Sequence, residues 1–576
     1  MESLTQSQLE EKLEKLELLM RIGTALSAER SKDRLIEMIL LEAKALCNAD
    51  GGTLYLRADD TLRFAILRSD SLGIALGGST GKPVELPPLP LYDPLTGAPN
   101  RSNVATCAAL LRESVNIPDA YATSTEFDFS GTKAFDARND YRSQSFLTVP
   151  LVNNDGTVIG VLQLLNALDP DTGKVVPFRA DHQRVVESLA SQAGIALDNQ
   201  LLLDGQRELL ESFIQMIAAA IDAKSPYTGG HCERVPILTE MIVKAVCDAT
   251  EGPFRDFTLS DEEWYELRIA AWLHDCGKVT TPVHIMDKAT KLETIFDRIA
   301  LVRARFAVLE RDARIAMLEA VAAGTPRAEA QAQHDQTVGA LREDLAFLEN
   351  ANVGSEFLPD AARARIAAIG ARQYLENGKE RPLLDADEVY NLQIQRGTLT
   401  PEERLIINGH MVQTVKMLER LPFPRNLRRV PEYAGGHHEK MDGGGYPKGI
   451  YAGDMSVPAR IMAIADVFEA LTAQDRPYKK GKTLSESMKI MAFMKRDNHL
   501  DPQLFDLFVT SGVYREYGQK YLPVDLIDEV DEASLLAFQP KAFDVPEEPV
   551  RRRRFLEFLP EYMEATVAGE LRGPAS

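Results

Sequence analysis

Residues 434–449, AGGHHEKMDGGGYPKG, set two adjacent histidines, two carboxylates and a run of glycines just before a Tyr-Pro pair. Neighbouring imidazoles do little for an apolar core, so the stretch raises the question of what they bind. Four other segments offer partners. In SPYTGGHCERV, His231 follows a Gly-Gly turn, and in AAWLHDCGKVTTP, His274-Asp275 ends an apolar helical pattern with Gly277-Lys278 just beyond. LTPEERLIINGHMVQTVKML puts His410 on a helix, and ARIMAIADVFEALTAQDRPYKK sets Asp466 in an otherwise apolar helix face.

Taken singly, each has an ordinary explanation. A lone histidine on an apolar face is more often a hydrogen-bonded core residue, and Asp466 alone would suit a helix cap or an arginine pair. Together the segments supply five imidazoles and two carboxylates. Such ligands without thiolate suit iron, manganese or zinc. Seven ligands exceed one tetrahedral site and suit two metals about 3.5–4 Å apart sharing a carboxylate, the arrangement of two-metal phosphoester hydrolysis. Lys278, Arg476 and Lys479 add cations suited to phosphate oxygens.

The chain has 576 residues, more than one core accommodates, so two or three domains are expected. Its net charge of −21 argues against a general nucleic-acid binder. No apolar run reaches the length of a membrane span and the start, MESLTQSQLEEKLEKLELL, has no signal-peptide core, so a cytoplasmic protein is expected. The five cysteines form no CxxC pair, which indicates neither a disulfide framework nor a thiolate zinc site.

The histidine motifs, in this order, resemble the HD superfamily of metal phosphohydrolases, and HHEKMDGGGYP resembles its HD-GYP family. The resemblance covers roughly 205–290 and 398–515. It implies an all-α domain acting as a cyclic di-GMP phosphodiesterase, opening the substrate to pGpG and/or GMP by a hydroxide bridging two divalent metals. Carried over, His231, His274, Asp275 and Asp466 would hold one metal, and Asp275, His410, His437 and His438 the second. Iron or manganese is expected, with zinc, magnesium, nickel or cobalt as alternatives. Asp275 and Lys278 would be catalytic, and Lys278, Tyr446, Arg476 and Lys479 would bind substrate. Asp442 and the glycines would shape the loop. Where some members have a glutamate that permits a third metal, this chain has Tyr227, so two metals are expected. Segment 291–397 has no counterpart in the family. Ile295, Ile299, Val302, Phe306 and Leu309 make one helical stripe and Val338, Leu341, Leu345 and Leu348 another, so it reads as a packing or dimerising helical hairpin. His284 and His334 are not expected to be ligands.

Before this region, GGTLYLRADDTLRFAIL and SFLTVPLVNNDGTVIGVLQLLNA read as strand pairs turning at Asp59-Asp60 and at Asn154-Asp155-Gly156. Residues 15–200 therefore read as an antiparallel sheet flanked by helices. VNIPDAYATSTEFD and FDARNDYRSQSFLTVPL make this segment similar to a GAF domain. The likeness implies a sensory α+β domain and marks Asn116, Phe135, Asp136 and Arg142 as positions for a cyclic nucleotide or other small ligand. An empty, structural pocket is the competing reading.

Between the two, residues 181–223 carry apolar positions spaced by three and four from Val186 to Ile221, interrupted by Gln200 and Arg207. Either helices pack on their own domains or a parallel coiled coil joins a homodimer. The expected order is thus multidomain: a GAF domain at 15–200, a connecting helix at 181–223, and an HD-GYP domain at 205–525 with the insertion 291–397. A tail at 540–576 follows, whose four arginines read as a solvated face. No nucleic-acid or membrane partner is expected. Two alternatives stay open: hydrolysis of mixed cyclic GMP–AMP or another phosphoester, and a non-catalytic metal-binding scaffold.

Overall fold

The computed structural model describes residues 6–122, 127–224, 230–354, 357–473 and 481–553. The chain divides into two compact units, Met1–Leu210 and Glu211–Ser576.

The first unit is an antiparallel sheet between layers of helix. Helices α1 (Gln6–Ala28) and α2 (Lys32–Cys47) precede strands β1 (Ala49–Ala58), β2 (Thr61–Ser69), β3 (Ile74–Gly77) and β4 (Leu89–Pro90). Then come α3 (Val104–Leu111), β5 (Val115–Ile117), α4 (Ser130–Asn139), β6 (Phe146–Val152), β7 (Val158–Leu168) and β8 (Val175–Val176). The strand order is β3-β2-β1-β7-β6-β5, with β4 on β2 and β8 on β7. Both expected hairpins form. Ala58 pairs with Thr61 around Asp59, which takes a positive φ, and Val152 pairs with Val158 around Gly156. Asn153 Oδ1 ties the second turn by accepting the amides of Asp155 at 3.1 Å and Thr157 at 2.8 Å. Ser31 starts α2 by accepting the Arg34 amide, and Asn48 ends it in the left-handed region. On one face of the sheet, Leu54, Leu147 and Leu164 pack with Leu26, Ile39 and Leu189 of the helical layer.

Helix α5 (Ala180–Lys224) runs without a break for 45 residues. Its apolar positions are not one stripe. Val186, Leu189 and Ala193 are buried in the first unit's core, and Ile214, Ala218 and Ile221 in that of the second. Between them Leu203 and Leu210 are exposed, as is Ile217 farther on. The helix thus packs at both ends as the first reading required, while its middle leaves apolar side chains uncovered.

The second unit is mostly helical. Helices α6 (His231–Cys247), α7 (Asp261–Leu273) and α8 (Val283–Met286) precede the insertion, which contains α9 (Ile299–Ala322), α10 (Arg327–Val353), α11 (Asp360–Gly370) and α12 (Ala386–Leu392). Helices α13 (Pro401–Glu419), α14 (Val430–Gly435), α15 (Val457–Thr472), α16 (Leu484–Arg496), α17 (Pro502–Thr510), α18 (Val513–Tyr521) and α19 (Glu532–Leu536) complete it. Capping boxes start several of them: Ser260 with Glu263, Thr400 with Glu403, and Thr483 with Glu486.

Two details differ from the sequence reading. The insertion is more than a helical hairpin, because within it β9 (Gln373–Glu376) and β10 (Lys379–Pro382) form a β-hairpin whose turn Asn377-Gly378 takes positive φ at both residues. Ile295 lies in the loop before α9 and is 95% exposed, so the α9 stripe begins at Ile299. The insertion has its own core, where Val302, Phe306, Leu341 and Leu348 of the α9–α10 hairpin meet Ile366 and Leu392.

Candidate metal centre

His231 is the first residue of α6, and His274 and Asp275 close α7. His410 lies within α13, His437-His438 follow α14, and Asp466 lies within α15. Elements far apart in sequence thus meet at one point. His231, His274, Asp275 and Asp466 form a group whose ligand atoms all lie within 4.8 Å of one another. Asp275, His410, His437 and His438 form a second such group, and Asp275 belongs to both.

The two Asp275 oxygens face in different directions. Oδ2 lies 3.2 Å from His274 Nε2 and 3.5 Å from His231 Nε2, while Oδ1 lies 3.2 Å from His410 Nε2 and 3.9 Å from His437 Nε2. Asp466 Oδ1 adds a second carboxylate 3.2 Å from His231 Nε2.

These imidazole nitrogens converge without a good hydrogen bond. Nε2 of His231, His274, His410 and His437 and Oδ1 of Asp275 are buried and have no hydrogen-bond partner among the described residues, while Asp275 Oδ2 is ion-paired with Lys278 at 2.6 Å. So many orphaned polar atoms in one place would be costly if nothing bound there. The other nitrogen of each ring is engaged. Nδ1 bonds the Ala271 carbonyl in His274, that of Ile407 in His410 and that of Ala434 in His437, and in His231 it meets the Glu469 carboxylate. Such bonds fix the ring orientation and leave Nε2 free to ligate, so the residues fit a pair of divalent cations.

Electrostatics divide the site: against the effect of burial, the neighbouring carboxylates push His231 up and His274 up to about 9, whereas the histidine pair at 437–438 is pushed down. Burial opposes ionisation of Asp275, but the Lys278 ammonium at 2.6 Å and the surrounding imidazoles hold it well below the usual carboxylate range. Burial and the neighbouring imidazole of His274 push His437 down to about 4, which keeps it neutral as a ligand must be. His438 is driven down by burial and by His437.

Two close approaches explain the glycines. A Cβ on Gly277 would stand 1.9 Å from the His410 carbonyl oxygen and 2.7 Å from Thr414 Oγ1, so only glycine lets this turn lie against α13. A Cβ on Gly445 would stand 2.3 Å from the Lys440 amide nitrogen, where the loop folds back on itself. The folded-back loop places the Tyr446 ring on His438, stacked at 4.8 Å and 18°.

The remaining expected positions fall as follows. Arg476, Lys479 and Tyr227 lie outside the described residues. Asp442 accepts the Gly444 amide at 2.9 Å within its loop. In the first unit, Asn116 Nδ2 donates to the Phe178 carbonyl at 3.2 Å and to Gln183 Oε1 at 3.3 Å. Asp136 is buried and accepts from Tyr121 Oη and from both the amide and hydroxyl of Ser143. Phe135 is exposed, and Arg142 lies over the Tyr121 ring. Of these four, half-buried Asn116 and buried Asp136 are occupied by neighbours within the unit. In the tail, Arg551 pairs with Asp454 at 2.8 Å rather than facing solvent alone.

Two participants escaped the sequence reading. Glu469, 1% exposed, braces His231 and accepts from Arg234 Nε at 2.6 Å. Glu439, fully buried, accepts the amides of Lys448 at 2.6 Å, Gly449 at 3.2 Å and Ile450 at 3.1 Å. Glu469 stands one helical step, three residues, beyond Asp466 on α15, and Glu439 directly follows the histidine pair. Each position was visible in the sequence as a carboxylate in an apolar or glycine-rich setting.

Comparison with known proteins finds one family match within each unit. Residues 31–197 match the family model of the GAF domain, and residues 386–504 that of the HD domain. The second match spans His410, His437, His438 and Asp466. A 3'3'-cGAMP-specific phosphodiesterase 1 of Vibrio cholerae is 42% identical over 116 residues, 20% of this chain and 26% of that protein. A 3'3'-cGAMP-specific phosphodiesterase 3 of the same organism is 25% identical over 325 residues, 56% of this chain and 42% of the relative. A cyclic di-GMP phosphodiesterase of Pseudomonas aeruginosa is 38% identical over 119 residues, 20% of this chain and 28% of the relative. The matches thus span well under half of these relatives' own lengths. No helix among the described residues is long and apolar enough to cross a membrane.

Proposed function

With a GAF domain and an HD domain of the HD-GYP type on one chain, we propose that this protein is a metal-dependent cyclic dinucleotide phosphodiesterase. Its substrate is cyclic di-GMP and its products are pGpG and/or GMP. The observation that carries this reading is the convergence of orphaned Nε2 atoms around the two faces of Asp275. His231, His274, Asp275 and Asp466 would hold one ion, and Asp275, His410, His437 and His438 the other. Two divalent ions, iron or manganese, would supply activation of water and neutralisation of charge at phosphorus.

The chain's own groups supply the rest. Asp275, kept ionised, is the shared carboxylate. The Lys278 ammonium, 2.6 Å from Asp275, is a cation at the rim for the scissile phosphate. Tyr446, held against His438, offers a flat face beside the site for a base or ribose. Arg476 and Lys479 are assigned to the substrate's phosphates on their motif position alone.

A second substrate is favoured by a specific finding, since two of the relatives are named as 3'3'-cGAMP-specific phosphodiesterases. Anaerobic incubation of ferrous- or manganese-loaded protein with each cyclic dinucleotide, followed by nucleotide analysis, separates the two. Turnover of cyclic di-GMP, abolished in His437→Ala/His438→Ala, supports the main reading. Turnover of 3'3'-cGAMP alone replaces the substrate, and a protein that binds metal but hydrolyses neither cyclic dinucleotide would fit the scaffold reading. We also assign a regulatory role to the GAF domain and a homodimer to the connecting helix. Equal activity with and without residues 1–200, across cyclic nucleotide ligands, would remove the first.

A further inference from the structure

The last turn of α5 holds two separate parts of the metal centre. Lys224 Nζ donates to three carbonyl oxygens: Lys278 at 3.2 Å, Thr281 at 2.7 Å, and Val279 between them. All three belong to or directly follow the 3-10 turn Cys276–Thr280, just after His274-Asp275. That turn carries Lys278, whose ammonium faces Asp275. Two residues before Lys224, buried Asp222 accepts the amides of Gly230 at 3.1 Å and Cys232 at 3.2 Å, the neighbours of His231 on either side.

The chemistry of this arrangement is specific. A 3-10 turn has poorer internal hydrogen bonds than an α-helix and leaves carbonyls that need outside donors. An ammonium has three donors, and here all three are spent on one short segment. The helix end is itself seated by Ile214, Ala218 and Ile221 in the domain core. An axial shift or rotation of α5 would therefore reach the backbone beneath Lys278 through Lys224.

We propose that Lys224 is a positioning residue for Lys278, and that it is the point at which movement of α5 is felt by the metal centre. Only the kinetic arm of its test rests on the phosphodiesterase reading. Asp222 performs the matching task at the start of α6.

The test compares the full chain with Lys224→Met and Lys224→Arg. Hydrogen exchange of the peptide covering 274–281 reads the turn directly. Lys224→Met is expected to speed exchange of the Lys278 and Thr281 amides by about fivefold or more, with Lys224→Arg close to native. With manganese-loaded protein and cyclic di-GMP, Lys224→Met is expected to lower kcat about tenfold while KM, bound manganese and thermal midpoint hold, and Lys224→Arg to recover most of the loss. Unchanged exchange in Lys224→Met overturns the proposal. So does a Lys224→Arg variant as impaired as Lys224→Met, or a loss that tracks lost metal. A native protein that turns over no cyclic dinucleotide defeats the phosphodiesterase reading, and the exchange comparison then decides the positioning role by itself.

Discussion

The Glu469 carboxylate braces His231 through Nδ1 while its other oxygen is held by Arg234 Nε at 2.6 Å. This leaves His231 Nε2 pointed at Asp275 and Asp466, with the ring unable to turn away. Glu469→Gln keeps the size but weakens the acceptor, and Glu469→Ala removes it. Loss of such a partner lowers metal affinity by about 10–100-fold. Titration with manganese should show one of two sites weakened to that degree in Glu469→Ala, with Glu469→Gln between it and native. Two native-like sites in Glu469→Ala would show that the brace does not matter.

Gly277 gives the sharpest steric prediction. The turn after Asp275 lies so close to α13 that an added methyl meets the His410 carbonyl and Thr414. Gly277→Ala must push α13 away and carry His410 with it. Overpacking of this kind costs about 1–3 kcal/mol. A lower thermal midpoint for the helical unit, together with loss of metal from the group containing His410, is the expected result. A variant with native metal content and midpoint would contradict the packing described here.

Much of the candidate site could be read from the sequence because its histidines sit in short segments where imidazoles stand beside Gly or Asp, a pattern that apolar packing does not call for. The antiparallel sheet was readable for a related reason: Asp59-Asp60 and Asn154-Asp155-Gly156 are turn sequences between alternating runs. What holds these side chains in place was less visible. Glu469 lies on a helix face that looks apolar, and its role depends on His231, 238 residues away in the chain. The β9–β10 hairpin escaped because Asn377-Gly378 stands among charged, exposed residues with little alternation. The α5 pattern divided into two buried ends and an exposed middle because spacing alone does not tell which neighbour covers a stripe.

That exposed middle carries a prediction. Leu203, Leu210 and Ile217 recur every seven residues on α5 and are 54%, 38% and 42% exposed. A heptad-spaced apolar edge suits a second copy of the same helix. If the proposed homodimer uses it, Leu210→Glu/Ile217→Glu should weaken self-association at least about tenfold, because two charges would face their own copies across the seam. Sedimentation equilibrium measures this directly. A protein that is monomeric before substitution, or equally dimeric after it, would place the partner elsewhere or nowhere.

Lys291 provides the pH dependence. Its side chain is 1% exposed and its Nζ donates to the carbonyls of Leu392 at 3.1 Å and Ile394 at 2.8 Å, tying the start of the insertion to its end. Burial pushes its pKa down from 10.5 to about 8. Below pH 8 both folded and unfolded chains carry the proton, and folding bears the full cost of burying the charge. Between about pH 8 and 10.5 the unfolded chain binds more protons than the folded one, so this group's contribution to stability rises with pH. Above that window the cost is gone. Lys291→Met never carries it, so the variant's stability relative to native should fall as pH rises from 8 to 10.5. Thermal midpoints of the helical unit for both proteins across this range would show the two curves converging or crossing. A constant offset would mean that Lys291 keeps an ordinary pKa in the folded chain, and that its two carbonyl partners, not its charge, decide its effect.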